Sequence, residues 1–521
     1  MSYLMGIDVG TQSLRTCIFD LQGRMIAEAS RDYPTQRPRP NWVEQDPRDW
    51  LAALSHSVRE ALRKSSLNPS KVVAISYGCT SCTVVALNEE GEPLRPALLW
   101  MDERARHEAD LVTATGDPVL KYAGGREGKE SPQWMIPKAM WIRDHEPEIF
   151  AKARWIVEQT DFFTFHLSGR WTISRSNAAA KWHYVQSYGG LPHALLERIG
   201  FSSLKAKWPS EVVSVGTKLG TISRSFSQAT GLSPDTVVAQ GGVDAHAAQV
   251  GVGALKPGVM ALVIGTSTCH MAQSEVPIFA DVWGPYDGPL KEDVFTLGGG
   301  QSTTGSIMQW FLQNILGDQF SHEQMDFLAS EIPAGSEGLI ALDFFQGNRT
   351  PFKDPQARGA LWGLTLRHGP AHIWKAFYEA VAYGTRSILE NLATYGYPVE
   401  KLVAAGGGSK SRLWMQIHAD VSGRPIQLVG NEEPTALGAA IWAGIGSGLF
   451  RDYEEAVARM VHPGEILFPD RARKEIYDFY YQIYIKTYQQ LRPLMAEVSD
   501  FEEKREEIQN GKGVRRDKEK S

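Results

Sequence analysis

Two short stretches set glycine beside hydroxyl side chains at the end of an apolar run: Asp8-Val9-Gly10-Thr11-Gln12-Ser13-Leu14-Arg15 and Gly265-Thr266-Ser267-Thr268. Glycine lets a phosphate approach the backbone closely, and adjacent N–H and hydroxyl groups donate to its oxygens. Taken singly, each reads more readily as an ordinary polar hairpin turn. As a pair, half a chain apart, they suggest two jaws around a polyphosphate. Asp8 opens the first, where a carboxylate can hold Mg²⁺ bridging phosphate oxygens, directly or through water.

A third cluster, Gly406-Gly407-Gly408-Ser409-Lys410-Ser411, follows an apolar strand and precedes a helix, which sets backbone N–H groups and a helix start against an anion or nucleotide. A fourth, Gly298-Gly299-Gly300-Gln301-Ser302-Thr303-Thr304-Gly305, also opens a helix. Neither of the common nucleotide fingerprints is present. No early strand is followed by G-x-G-x-x-G, and Gly128-Lys129 has Ala123 and Glu130 where a Walker loop needs glycine and Ser/Thr. Asp244, in Gly241-Gly242-Val243-Asp244-Ala245-His246, stands where a strand meets a helix near mid-chain, placed to accept a hydroxyl proton during phosphoryl transfer. Its bland alternative is a helix N-cap. His246 reads as a hydrogen-bonded structural histidine, because D-x-H lacks further metal ligands. Cys79-Thr80-Ser81-Cys82 has no second cysteine pair and no helix start after it, so it reads as a small-residue loop able to line a pocket.

The elements that must position these groups alternate. Tyr3–Ile7, Thr16–Phe19 and Met25–Ala27 form a strand meander, echoed at mid-chain by Val259–Ile264 and Cys269–Ala272. Asp49–Lys64 carries Trp50, Leu51, Leu54, Val58 and Leu62 at helical spacing, followed by strands Val72–Tyr77 and Thr83–Leu87. Val237–Ala239 and Lys401–Ala405 read as strands, and Gly305–Leu316, His372–Leu392, Ser411–Val421 and Ile476–Leu491 as helices. The class is therefore α/β. A chain of 521 residues is too long for one core and points to two domains, with a charged tail from Asp500 expected to be solvated or disordered.

Composition excludes several roles. There are 54 basic and 60 acidic residues, a net charge of −6, so no basic stripe suggests nucleic acid. Four cysteines cannot form a disulfide framework and fit a reducing, cytoplasmic compartment. No signal peptide or membrane span is legible.

With these residues in hand the chain resembles the FGGY carbohydrate kinases, of the sugar-kinase, actin and chaperone ATPase superfamily, across residues 3–492. The matching text is Gly6–Arg15, Trp42–Pro47, Trp100–Arg104, Gly241–His246, Ile264–Ser267, Gly347–Pro351, Gly359–Leu364, Gly406–Asp420 and Ala436–Ala440. The resemblance implies two actin-like (ribonuclease H-like) domains, residues 1–250 and 251–492, with the active site in the cleft between them and a tail at 493–521. It implies an ATP-dependent kinase with Asp244 as catalytic base and Asp8, with Asp244, organising Mg²⁺. The phosphates would lie against Gly10, Thr11, Ser13, Arg15, Gly265, Thr266 and Gly305, and adenosine against Gly407, Gly408, Ala436 and Gly438. A homodimer is a further implication.

The likeness is strongest to the ribulokinase branch, through Gly265–Met271, Trp283–Tyr286, Gly300–Gly305 and Ala180-Lys181-Trp182. There Lys181 and Asp244 would contact the sugar, with Ser81, Cys82, Trp100 and Gln301 as further candidate contacts. Ribulokinases place Glu where this chain has Gly298 and often Asp near Cys79, so two polar sugar contacts are missing. The expected substrate is a ketose, a pentulose such as ribulose, phosphorylated at a terminal hydroxyl. The alternatives are another ketose or polyol (xylulose, erythritol, glycerol) and a non-catalytic ATP-binding protein on the same fold.

Overall fold

The chain starts as a three-stranded antiparallel meander because β-rich runs are separated by tight polar turns: β1 Tyr3–Val9, β2 Ser13–Asp20 and β3 Met25–Asp32. The computed structural model describes residues 2–430 and 433–518, with side chains described up to Glu502 and at Arg505. Helix α1, Pro47–Ser65, begins at an Asp46 cap with proline at its first position and buries Trp50, Leu54, Val58 and Leu62, the stripe its sequence spacing predicts. Strand β4, Val72–Cys79, returns parallel to β1, and β5, Val237–Ala239, lies parallel to β4. Helix α2, Asp244–Gly251, ends this half.

The second half repeats the order. Strands β6 Val259–Ile264, β7 Thr268–Ser274 and β8 Phe295–Gln301 pair antiparallel in that order, with Trp283–Asp287 on the outer edge of β8, and the long helix α3, Pro370–Thr394, follows. Strand β9, Lys401–Ala405, lies parallel to β6, and β10, Ile426–Val429, parallel to β9; α4 is Pro434–Gly446. Each sheet has seven strands. In both, antiparallel strands lie on one side of the first strand, two parallel strands lie on the other, and an antiparallel edge strand follows: Lys218–Thr221 in the first sheet, Pro463–Leu467 in the second.

The halves are joined by a crossed pair of helices. Helix α4, from the second half, packs on β1 and β4 of the first sheet, whereas α2, from the first half, touches β6 and β7 of the second. Between them lies a core that includes the small and aliphatic side chains Leu4, Ala247, Val250, Ala261, Ala436 and Ala440 with the aromatic Phe19 and Trp442, distinct from the core of either half. The approach is close enough to require glycine: a Cβ on Gly438 would overlap the carbonyl oxygen of Ala247, and one on Gly6 that of Ala436.

Two expectations change. The helix read over 305–316 is α-helical only at Gly305–Trp310 and continues as a wider turn over Phe311–Ile315. The segment 493–518, expected as a solvated or disordered tail, continues helix α5, Arg471–Lys518, straight through Pro493. Its Glu, Lys and Arg are good helix formers, and Arg505 pairs with Glu502 one turn away. Residues 519–521 of that segment lie outside the described residues. The tyrosine-rich part of α5 buries Tyr477, Tyr481, Tyr484 and Tyr488 against the second half, and Tyr484 donates to Asp343 Oδ1 at 2.7 Å. Among the described residues no helix is long and apolar enough to cross a membrane.

The crossed seam should be intolerant of added bulk. Gly438→Ala is expected to destabilise the protein by about 1–3 kcal/mol, whereas Gly407→Ala, which would meet open space, should stay within about 0.5 kcal/mol. Urea denaturation of the two variants beside the parent measures this.

Candidate active site

Strand register brings the two singled-out carboxylates together. On β4, Gly78 lies opposite Asp8 of β1 on one side and opposite Gly242 of the short strand Gly242–Val243 on the other. Two residues beyond Gly242, Asp244 starts α2. Both carboxylates thus flank the carboxyl end of β4, with no side chain on Gly78 between them, at the edge where α/β sheets take ligands. The N-cap of α2 is Val243, and the Asp244 carboxylate accepts only the Ala245 N–H, at 2.7 Å, among the described residues. This geometry removes the capping explanation and leaves its second oxygen open.

Each carboxylate is half-buried and held towards its neutral form. Burial pushes Asp8 up to about 6, tempered by Arg15 directly across the β1–β2 ladder. Burial pushes Asp244 up to about 7, reinforced by the Asp8 charge and opposed by the Ala245 N–H. Two close carboxylates with so little compensation suit a divalent cation, which relieves the repulsion that protonation otherwise relieves. Among the described residues no three His, Cys, Asp or Glu side chains gather as a metal site. A Mg²⁺ ion here would take one or two carboxylates and draw its other ligands from phosphate and water, its usual preference.

The two glycine-hydroxyl turns are built alike. Gly10 N–H donates to Ser13 O at 3.0 Å, and Gly265 N–H to Ser267 O at 2.8 Å. Among the described residues the N–H groups of Thr11 and Gln12, and of Thr266 and Ser267, donate to nothing. Their carbonyls are held from behind. Tyr33 OH donates to Gly10 O, Gln45 Nε2 to Thr11 O at 2.6 Å, and Ser306 N–H and Oγ to Thr266 O at 3.2 and 2.9 Å. The Thr11 hydroxyl accepts from Trp100 Nε1 at 2.9 Å, and Arg15 pairs with Glu433 at the entry to α4, a link between the halves.

Beside Asp244 lies an aromatic chamber. The Lys181 ammonium stands 4.5, 4.9 and 5.0 Å from the ring centroids of Trp134, Trp283 and Tyr286 and donates to Tyr286 OH at 2.7 Å. Burial brings Lys181 down to about 8. Cys82 packs into this chamber with Trp100 at its edge. It sits in the left-handed region with φ 65°, held by its N–H to Glu158 Oε2 at 2.9 Å and by Lys138 Nζ to its carbonyl at 2.8 Å. Ser81 bonds Cys82 Sγ at 3.2 Å. Both thiols of the C-x-x-C are buried and burial raises them, Cys82 to about 12, which leaves them as inert wall. His246 is buried, bonded through Nδ1 to Ser176 Oγ at 2.7 Å, and kept neutral by burial and by Lys181.

Not every expected contact faces the cleft. Gln301 spends its amide inside the second half, donating to Asp343 Oδ2 and Val381 O and accepting from Thr385 Oγ1. Gly305 supports the second hairpin through its N–H to Gly265 O at 3.1 Å, and a Cβ there would overlap that oxygen. Ala436 and Gly438 are buried in the crossed-helix seam. Gly408 is closed against Ile264, whereas Gly407 is open. In each case a backbone needed for packing has the same glycine or alanine signature as one exposed to a ligand.

Four residues of the site were not singled out by sequence reasoning: Trp134, Trp283, Tyr286 and Arg349. Trp283–Tyr286 and Gly347–Pro351 were visible as motifs, but nothing local shows that they reach Lys181 and Trp100. Arg349 stacks on Trp100, 4.9 Å from its ring centroid.

Comparison with known proteins agrees with this geometry. The sequence models of the FGGY family of carbohydrate kinases match residues 3–251 with the N-terminal domain and 260–447 with the C-terminal domain. The chain belongs to the FGGY family of carbohydrate kinases. A ribulokinase of Anoxybacillus flavithermus is 32% identical over 531 aligned positions, covering 93% of each chain. A Xenopus laevis FGGY carbohydrate kinase domain-containing protein is 30% identical, covering 93% of this chain and 96% of its own. The crystal structure of xylulose kinase from Rhodospirillum rubrum superposes with a TM-score of 0.84 at 28% identity, over 95% of this chain and 100% of that one. As an FGGY kinase of the ribulokinase-like branch, the protein is an ATP-dependent phosphotransferase with two α/β domains flanking a cleft.

The buried ammonium of this kinase gives a signed pH effect. Lys181 is about 8 in the folded protein against 10.5 for an unburied lysine, so its charge costs stability below pH 8, and the cost fades as pH rises towards 10.5. Any stability that Lys181→Met gains over the parent should shrink by about 2 kcal/mol between pH 7 and pH 9.5. Paired urea titrations at the two pH values check it; an unchanged difference would mean the ammonium is not held in the folded state as described.

Proposed function

We propose that this kinase phosphorylates the terminal hydroxyl of a ketose, a pentulose such as ribulose, with ATP and Mg²⁺ in the cleft between two actin-like domains, residues 1–250 and 251–492. The observation that carries this is the open carboxylate oxygen of Asp244, set between Asp8 and the Lys181 chamber and poised near neutrality. A base near pH 7 takes a hydroxyl proton only as the oxygen begins to bond phosphorus, so Asp244 needs position more than basicity. The free N–H pairs at Thr11–Gln12 and Thr266–Ser267 donate to phosphate oxygens from opposite halves, which aligns the phosphoryl group and excludes water when the halves close. Mg²⁺ held at Asp8 supplies charge neutralisation on the phosphates. The Gly407 loop, open to solvent and leading into the helix Arg412–Ser422, is the surface left for the adenosine end.

The chamber supports a sugar. Trp100, Trp134, Trp283 and Tyr286 offer faces to C–H groups, and Lys181 offers a donor for an oxygen. Ser81 and Cys82 line its edge. Gly298 lies against Met271, Tyr286 and Trp283 with no carboxylate to offer, which leaves the Lys181 side without an anionic partner for sugar hydroxyls.

The test is an ADP-release screen against C3–C6 ketoses, aldoses and polyols, comparing kcat/KM. Asp244→Asn should lose at least about 10²–10⁴-fold in turnover while binding ATP nearly as the parent does. Retention of a substantial fraction of kcat would remove Asp244 from the proton transfer, and no ATP use with any substrate would remove the kinase assignment of this cleft.

A further inference from the structure

Arg349 is the cation in the cleft that the reading above leaves unused. It is half-buried, and among the described residues its guanidinium makes no hydrogen bond and no ion pair. It comes from the second half, in the loop after Phe345, yet lies on the Trp100 ring of the first half at 4.9 Å. Trp100 is itself fixed, its N–H spent on the Thr11 hydroxyl of the first phosphate hairpin at 2.9 Å. The Arg349 charge acts on the thiols of Cys82 and Cys269 and on the Lys181 ammonium, while Cys269 also feels Asp244. The guanidinium therefore stands on the chamber side of the base. Such a group has five donors and no acceptor, and among the described residues none of its nitrogens is sealed from solvent, so its donors face the open cleft.

The chamber around it is short of acceptors. Lys181 brings three donors and gives one to Tyr286 OH. The nearby carboxylates are engaged elsewhere: Glu158 by Asn177, Trp182 and the Cys82 N–H, Glu130 by His183, and Glu103, whose charge acts on Arg349, by Arg106 and Gln133. The geometry points to Arg349 as a substrate-contacting, specificity-determining residue that closes on the sugar from the second half and selects an oxygen that only accepts, a ketone carbonyl or a carboxylate, over a hydroxyl. A carbonyl or carboxylate oxygen takes the guanidinium and ammonium protons with nothing left over. A polyol hydroxyl at the same place brings a further proton into a wall of donors. Because Arg349 and its stacking platform belong to different halves, occupancy by such a group also favours the closed cleft. The inference rests on the kinase reading for its chemistry, but its test does not depend on turnover.

The experiment compares D-ribulose, D-ribonate and ribitol, which share a carbon skeleton and differ in the acceptor. Binding is read by calorimetric titration and turnover by ADP release, on the parent, Arg349→Met and Arg349→Lys. The parent should prefer ribulose or ribonate to ribitol, and which of the two it takes identifies carbonyl or carboxylate as the partner. Arg349→Met should lose about 10–100-fold in affinity for the preferred ligand, carried in KM more than kcat, but less than about 3-fold for ribitol. KM for ATP should be unchanged in Arg349→Met, which shows that the variant is folded, and Arg349→Lys should fall between the two. Equal loss on ribulose and ribitol, no loss on either, or a parent that prefers ribitol would overturn the inference. If no sugar supports ADP release, the kinase reading fails while the titrations still decide the role of Arg349.

Discussion

The rest of the molecule depends on the close crossing of α2 and α4. Helix α4 leaves its own half to lie on the sheet of the other, α2 touches both sheets, and the approach is set by backbone meeting backbone at Gly438 and Ala247 and at Gly6 and Ala436. A seam of this kind has little room for rearrangement, because backbone meets backbone directly at these glycines. It therefore forms a closely packed base between the two sheets. Asp244 is the first residue of α2, so the same constraint that joins the halves also fixes the carboxylate between them.

Charge in the cleft is separated along its length. Asp8 and Asp244 crowd the carboxyl ends of the first sheet's strands, whereas Lys181 and Arg349 occupy the aromatic chamber. Neither group neutralises the other, and burial pushes the carboxylates up and the ammonium down. A site that is uncomfortable in this way when empty gains most from a ligand that carries phosphate and cation at one end and oxygen acceptors at the other. Stability withheld from the empty state is returned on binding as specificity.

The hairpins, the alternation of strands and helices and the α1 stripe were legible because each is governed by contacts within a few residues. Periodicity placed Trp50, Leu54, Val58 and Leu62 inward, and Val259–Ile264 and Lys401–Ala405 are strands with the limits their composition suggests. The four glycine clusters were harder to rank. Gly10 and Gly265 turn chain and leave free N–H groups at the tips, whereas Gly305 and Gly438 make room for a carbonyl, and a sequence gives both kinds of glycine the same letter. The tail beyond 493 shows the converse error, since charged residues that cannot build a core can still extend a helix that starts on one.

By itself the sequence determined the α/β class, the duplicated glycine-hydroxyl hairpins, the two carboxylates Asp8 and Asp244 at strand ends, and family membership, because these follow from local conformation and from the joint order of motifs along the chain. Only the tertiary structure decided that Gln301 points away from the cleft, that Ala436 and Gly438 belong to the seam, and that Arg349 reaches across to Trp100. Those outcomes depend on which backbone approaches which over hundreds of residues. Such distances are set by packing of the two halves and leave no periodic mark in the chain.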